Sequence, residues 1–183
     1  MRMKWLITRL LLGVTLLTSS LAPFANQRLA GKQAPSNPFK FDHLSTEQGL
    51  SQRTILCILQ DRHGFMWFGT QDGLNKYDGQ HFTIYRRDEA DERSLLDNYI
   101  LSLFEDRAGH LWVGTNKGGL SRYEPETETF THFLHDPNNP RSLSLNTITA
   151  ILEDANGRLW VGTDGGGLNR FDPRTNQATR FNL

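Results

Sequence analysis

The sequence has a single cysteine, Cys57, so no disulfide can form within the chain. Whatever it folds into must rest on an apolar core rather than on covalent staples. The N-terminal apolar stretch, Leu10 to Leu17, is short of the roughly 20 residues that span a bilayer as a helix. There is no His-Glu-x-x-His, no cysteine pair and no recognisable metal-ligand spacing, which leaves a metal enzyme without its ligands. Excess positive charge is also missing. From residue 26 onward there are 17 basic and 20 acidic residues, a net of −3, whereas phosphate-backbone binding needs clustered lysine and arginine. A nucleic-acid partner is therefore not expected.

Acidic residues are absent before Asp42, and that absence is informative. Arg2, Lys4 and Arg9 precede a short apolar segment and then the small-residue run Thr18 to Ala25. This is the layout of a secretory signal, predicted over residues 1–25 with cleavage after Ala25. Arg9 and the segment length argue against the rival reading, an uncleaved anchor. With no cysteine nearby, lipid attachment of the lipoprotein kind is not expected. Residues 26–38 read as a polar linker, and Phe39 to Leu44 alternates apolar and polar residues as a half-buried strand does. A loop to residue 54 completes this leading segment, 39–54.

What the sequence does contain is repetition. Asp61-x-x-Gly64-x-x-Trp67-x-Gly69-Thr70 recurs as Asp106-x-x-Gly109-x-x-Trp112-x-Gly114-Thr115 and as Asp154-x-x-Gly157-x-x-Trp160-x-Gly162-Thr163. The tryptophans lie 45 and then 48 residues apart, a period that signals a repeat architecture. Each unit opens with a short apolar run beginning at Ile55, Ile100 or Ile148, expected as a strand buried on both faces. The middle residue of each run is small (Cys57, Ser102, Ala150), which casts Cys57 as a packing residue. Asp-x-x-Gly is a turn, because aspartate bonds the backbone ahead of it and glycine accepts positive φ. Three further strands follow in each unit, separated by Gly or Pro turns. Leu50, Leu95 and Leu143 precede the units at equivalent places and are expected to plug the gaps between them.

Four antiparallel strands per roughly 45 residues make one blade of a β-propeller. The expected fold is all-β, a partial, open propeller with blades over 55–99, 100–147 and 148–183, links included. A blade cannot bury its own faces and stacks on its neighbours, so the repeated tryptophan is the natural wedge between blades. Three blades fall below the roughly 4 to 8 that close a ring. The chain accordingly reads as an N-terminal fragment whose strand edges and blade faces are open.

Asp-x-x-Gly-x-x-Trp-x-Gly-Thr, then Gly-Leu-x-Arg-Tyr-Asp, preceded by Gly49-Leu50-Ser51, resembles the two-component regulator propeller repeat, over residues 39–183. The resemblance implies an exported, periplasmic sensor with seven-bladed propellers, a β-sandwich, a membrane helix and a cytoplasmic output, either a histidine kinase or a diguanylate cyclase. It also implies a carbohydrate or other small-molecule ligand for the complete propeller. None of the downstream parts is in this sequence, so membrane contact is expected only through the signal or a helix beyond it.

Catalytic chemistry finds no foothold here. Asp61, Asp106 and Asp154 recur once per blade and read as turn builders. The histidines fall at non-equivalent positions, and Gly165-Gly166-Gly167 lacks both the Lys-Ser/Thr ending and the following helix of a phosphate loop. No catalytic residue, cofactor site or metal site is assigned. Gln52, Arg53, Asp97, Asn98 and Asn146 precede the innermost strands and are the candidates for facing a ligand, with loop capping as the plainer role. Two other readings stay open: a propeller module that self-associates, and a fragment of an exported propeller enzyme of glycoside-active or quinoprotein type. The Asp boxes of sialidases are one residue shorter than the phrase here, and quinoprotein docking phrases one residue longer.

Overall fold

The structure is a computed structural model and describes residues 43–181. The signal over 1–25, the linker over 26–38 and most of the leading strand lie outside the described residues. His43 and Leu44, the end of that expected strand, are not in a strand. The loop after them contains a short 3-10 helix, Thr46–Gln48, fixed by reciprocal capping between Ser45 and Gln48.

Twelve strands follow. They are β1 (Ile55–Gln60), β2 (Met66–Thr70), β3 (Gly73–Tyr77), β4 (Phe82–Tyr85), β5 (Ile100–Glu105), β6 (Leu111–Thr115), β7 (Leu120–Glu124), β8 (Thr129–Phe133), β9 (Ile148–Glu153), β10 (Leu159–Thr163), β11 (Gly167–Asp172) and β12 (Gln177–Phe181). They form three four-stranded antiparallel sheets in simple meander order. The first strands β1, β5 and β9 lie beside one another in sequence order, and β2 and β6 also meet the first strand of the following sheet. That is the blade arrangement of a propeller, left open.

Two clusters make the core, one per joint between blades. At the first, Trp67 and Leu74 of blade 1 pack against Ile100, Leu111, Val113, Tyr123 and Phe130 of blade 2, with Leu95 between them. At the second, Trp112 and Leu120 of blade 2 pack against Ile148, Leu159, Val161, Phe171 and Ala178 of blade 3, with Leu143 between them. The same chemistry is used twice. Every blade therefore has a trailing face, bearing the tryptophan, and a leading face, bearing the two apolar residues that flank it on the second strand. Leu95 and Leu143 are buried as gap plugs, and Leu50 is buried at the leading end of blade 1.

The expectation that the opening strands are buried on both faces needs correction. Ile58 is 58% exposed and Leu152 63% exposed, while their counterparts inside the stack are at least half-buried. The reason is position: Ile58 lies on the leading face of the first blade and Leu152 on the trailing face of the last. Neither has a neighbouring blade among the described residues.

Glycine is required where blades approach. A Cβ on Gly69 would overlap Cys57 Sγ and lie 2.8 Å from Ile100, and one on Gly114 would overlap Ser102 Oγ and lie 2.8 Å from Ile148. These contacts explain both the small middle residue of the opening strand and the glycine opposite it. Burial pushes the Cys57 thiol up to about 11, with a backbone bond from Gly69 acting the other way. It behaves as the packing residue its position implied.

Candidate functional site

The repeated phrase closes on itself in three dimensions. Asp61 Oδ1 accepts from the backbone N–H groups of His63 (2.9 Å) and Phe65 (3.0 Å), while Oδ2 accepts from the Trp67 indole at 2.8 Å. Asp106 repeats this with His110 N (2.9 Å) and Trp112 Nε1 (2.9 Å), and adds the His110 ring at 2.9 Å. Asp154 accepts from Asn156 N (2.8 Å) and Arg158 N (3.0 Å). One carboxylate thus shapes the turn with one oxygen and orients the wedge with the other. Burial works to raise the Asp106 carboxyl, but the Trp112 indole and His110 outweigh it, and the net shift is downward. The indole bond escaped the sequence reading, although aspartate and tryptophan six residues apart in every repeat was its signal.

The threonine that ends the phrase also has a fixed duty. Thr70, Thr115 and Thr163 each donate through Oγ1 to the carbonyl at the start of the third strand, Gly73, Gly119 and Gly167, at 3.0, 3.1 and 2.9 Å. In blades 1 and 2 the aspartate, the tryptophan, the glycine after it and the threonine are each engaged in a turn, a joint, a close approach or a strand-end hydrogen bond.

The five ligand-facing candidates sit on the segments that lead into β1, β5 and β9, at the same end of the three blades. Most are occupied structurally. Asn98 accepts from Arg87 N through its side chain (2.7 Å) and from Gly73 N of the preceding blade through its carbonyl (2.7 Å). Asn146 does the same with His135 N (2.7 Å) and Gly119 N (3.0 Å). Asp97 accepts from Tyr99 N (3.1 Å) and Lys117 N (2.7 Å), and Gln52 pairs with Gln71. Arg53 is exposed. Asn98 and Asn146 thus each stitch the segment they sit on to the preceding blade, Asp97 ties its own segment to the turn at Lys117, and Gln52 and Arg53 lie on the segment ahead of β1.

Sequence reading missed an ionic latch at the other end of the blades. Arg62 reaches from blade 1 to blade 2, donating to Glu105 through Nε (2.6 Å) and backbone N (3.0 Å) and to Asp106 O (2.7 Å). Arg107 reaches from blade 2 to blade 3, where its backbone N donates to Glu153 (2.9 Å) and its guanidinium to Ala155 O (3.3 Å). Two tyrosines add a further tie at the first joint. Tyr85 and Tyr123 hydroxyls meet at 2.9 Å, and Tyr85 donates to Glu128 at 3.1 Å. Burial, then Tyr123 and the Glu128 charge, push the Tyr85 phenol up. Among the described residues no group of His, Cys, Asp or Glu is placed to hold a metal ion, and no helix is long and apolar enough to cross a membrane.

Stacked four-stranded meanders joined through their first strands, with a carboxylate-anchored tryptophan at each joint, define a β-propeller-repeat protein. Residues 49–72, 94–117 and 142–165 match the two component regulator propeller. The three repeats of this chain belong to that family. Residues of the chain are 44% identical over 63 positions to histidine kinase P4 of Formosa agariphila, covering 34% of this chain and 5% of that protein. Among solved structures, the fold is similar to the extracellular domain assigned to the hybrid two component system BT3049 of B. thetaiotaomicron, with a TM-score of 0.73 and 34% identity over 77% of this chain and 20% of that one. It is also similar to the extracellular domain assigned to the one component system BT4673 of the same organism, with a TM-score of 0.60 and 26% identity over 72% of this chain and 19% of that one. The chain therefore spans about a fifth of the solved relatives and a twentieth of the kinase. It is a propeller segment like those of extracellular sensor domains in two-component systems.

Proposed function

We propose that this chain is part of the periplasmic ligand-sensing propeller of a membrane receptor, whose output is a histidine kinase or a diguanylate cyclase. The observation that carries the reading is the coincidence of three family repeats with a fold and sequence similar to an extracellular sensor domain. The predicted secretory signal agrees with export. The blades described here act as scaffold, since the repeat residues are consumed in turns and joints. Ligand contact falls to the segments ahead of the inner strands, where residues differ between blades and Arg53 is exposed. A carbohydrate or other small molecule is the class of ligand that suits a polar, non-basic channel end. Binding would favour one packing of the propeller over another, and the membrane helix of the complete receptor would carry that population shift to the output.

The test is to read the gene's continuous frame downstream of residue 183. Further blades, a membrane helix and an output domain are expected, and a frame lacking both blades and helix refutes the proposal. For the complete propeller, a thermal-shift screen against a panel of oligosaccharides is expected to give a hit that an Arg53→Ala variant weakens.

A further inference from the structure

The two links between blades fold into the same strap. Over residues 88–94, Asp91 N donates to Asp88 O (3.2 Å) and Ser94 N to Asp91 O (3.0 Å); over 136–142, Asn139 N donates to Asp136 O (3.1 Å) and Ser142 N to Asn139 O (3.1 Å). The serine closes each loop, its Oγ accepting from the aspartate N–H at 2.8 Å and donating to the aspartate carbonyl at 3.0 Å. One backbone bond then ties each strap to the outermost strand of the following blade, from Phe130 N to Arg93 O (2.8 Å) or from Ala178 N to Arg141 O (2.6 Å).

What lies under the strap differs. Beneath the second, the Arg180 guanidinium donates to the Ser142 carbonyl (2.9 Å), the Asn139 carbonyl (2.9 Å) and the Ser142 hydroxyl (2.7 Å). Beneath the first, the strand register puts His132 in the same place, since it lies opposite Ser121 as Arg180 lies opposite Asn169. Its ring sits beside the Ser94 and Glu92 carbonyls, yet Nε2 is buried with no hydrogen-bond partner among the described residues. Nδ1 meets the Ser121 hydroxyl at 2.9 Å. That contact is peculiar to blade 2. Blades 1 and 3 have Asn75 and Asn169 in place of Ser121, bound to Ser51 and Ser144, whereas blade 2 has Leu96 in place of that serine. Ser121 is thereby left to His132.

We propose that residues 88–94 are a proton-sensitive strap, lifted from β8 by acidification while the strap over Arg180 stays closed. An arginine keeps its charge and all its donors at any ordinary pH. A neutral imidazole has one N–H to share between Ser121 and the carbonyls. Proton uptake adds a charge where burial disfavours it, and the ring escapes that cost by letting the strap open to water. The charged groups on the elements around it are engaged elsewhere or lie in solvent. On the strap, Asp88 and Asp91 accept from Ala90 N (2.9 Å) and Arg93 N (3.0 Å), Arg93 lies 3.7 Å from Asp91, Glu89 lies 3.5 Å from Arg87, and Glu92 is exposed. On β7, Arg122 and Glu124 pair with each other at 2.9 Å. On the second link, His135 is held to Leu143 O at 2.8 Å, Asp136 accepts from Asn138 N at 2.9 Å and Arg141 donates to Gln177 at 3.2 Å. Leu95, the plug of the first joint, directly follows Ser94, so lifting the strap reaches the joint itself.

The test is backbone hydrogen exchange of the full chain, read by mass spectrometry at about pH 7.5 and about pH 5 and corrected for the intrinsic pH dependence of exchange. Peptides covering 86–99 and 128–133 are expected to lose protection at the lower pH. Their opening constant should rise several-fold, under a ceiling of about 30-fold set by a closed strap that takes no proton at all. Peptides covering 134–147 and 177–181 are expected to keep their protection. A His132→Arg variant, able to make the bonds of Arg180, should protect the first strap equally at both pH values. A His132→Gln variant gains no charge and should also lose the pH dependence, so the result does not hang on the arginine fitting. Unchanged or increased protection of the first strap at the lower pH, an equal loss in both straps, or a pH-dependent loss that survives in the variants overturns the proposal.

Discussion

Replacing each repeat tryptophan by alanine should sort the three blades by position rather than by sequence. Trp112 is fully buried, its ring meets Phe133 at 5.6 Å and Phe171 at 5.8 Å, and its indole donates to Asp106. Truncating a buried tryptophan costs about 3–5 kcal/mol through lost transfer energy and the cavity left behind. Asp106 is 5% exposed and also loses one of its donors, which adds about 1 kcal/mol. The expected loss for Trp112→Ala is about 4–6 kcal/mol, a drop of roughly 8–24 °C in melting temperature for a domain of this size. Trp160 keeps the same sequence context but lies partly exposed on the open trailing face, with Phe181 its aromatic neighbour at 5.3 Å. Trp160→Ala is expected to cost about 1–2 kcal/mol, since only part of its area leaves water. Urea denaturation followed by circular dichroism measures both, at sub-micromolar concentration so that no second copy contributes. Equal losses for the two variants would refute the assignment of the repeat tryptophan as an inter-blade wedge.

The glycines of the phrase should behave in parallel. Gly114→Ala forces a methyl into Ser102 and to 2.9 Å from the Ile148 carbonyl, whereas at Gly162 the nearest atom is 3.5 Å away. Denaturation should show the first losing about 1–3 kcal/mol through overpacking and the second losing under 1 kcal/mol. His132 gives a pH dependence. Burial pulls its pKa below the ordinary histidine value, only partly opposed by the Ser94 and Glu92 carbonyls, and its Nε2 has no well-placed partner among the described residues. Because the unfolded chain then binds the proton more readily, stability from this group is complete above about pH 6.5 and falls as pH drops below that value. A His132→Gln variant should show a flatter stability profile between neutral pH and the carboxylate range, measured as melting temperature against pH. An unchanged slope would count against the buried neutral imidazole.

The strands were legible because their signals are local. Short apolar runs bounded by Asp-x-x-Gly, Gly-Leu and Asp-Pro turns leave little freedom, and β1, β5 and β9 begin where those runs begin, at Ile55, Ile100 and Ile148. The wedge was legible because three copies of one tryptophan isolate it from chance. What could not be seen was anything joining residues a full period apart. Arg62 and Glu105 are 43 positions apart, and neither lies in the repeated phrase as an invariant, so no spacing rule points from one to the other. The ligand-facing candidates failed to stand out for the opposite reason. Asn98 and Asn146 look free in the sequence, yet their side chains and carbonyls are engaged by links and turns that only the fold brings near. Burial of the opening strands was overestimated because periodicity reports which residues are apolar and says nothing about whether a neighbour is present to cover them.

The sameness of the two joints has a genetic consequence. An in-frame excision of residues 95–142, one period of 48 as measured from Trp112 to Trp160, would join Ser94 to Leu143 and restore the Ser-Leu step found at both seams. Blade 1 would then meet blade 3 with its plug, its isoleucine and its glycine in register, and Arg62 would find Glu153 where it had found Glu105. The misfits gather at Tyr85, which would face Phe171, Ala178 and Asn176 in place of Tyr123, Phe130 and Glu128. Unequal crossing-over between such periods can therefore lengthen or shorten the array a whole blade at a time while keeping plug, isoleucine and glycine in register, which makes blade number a quantity that recombination can change in a single event.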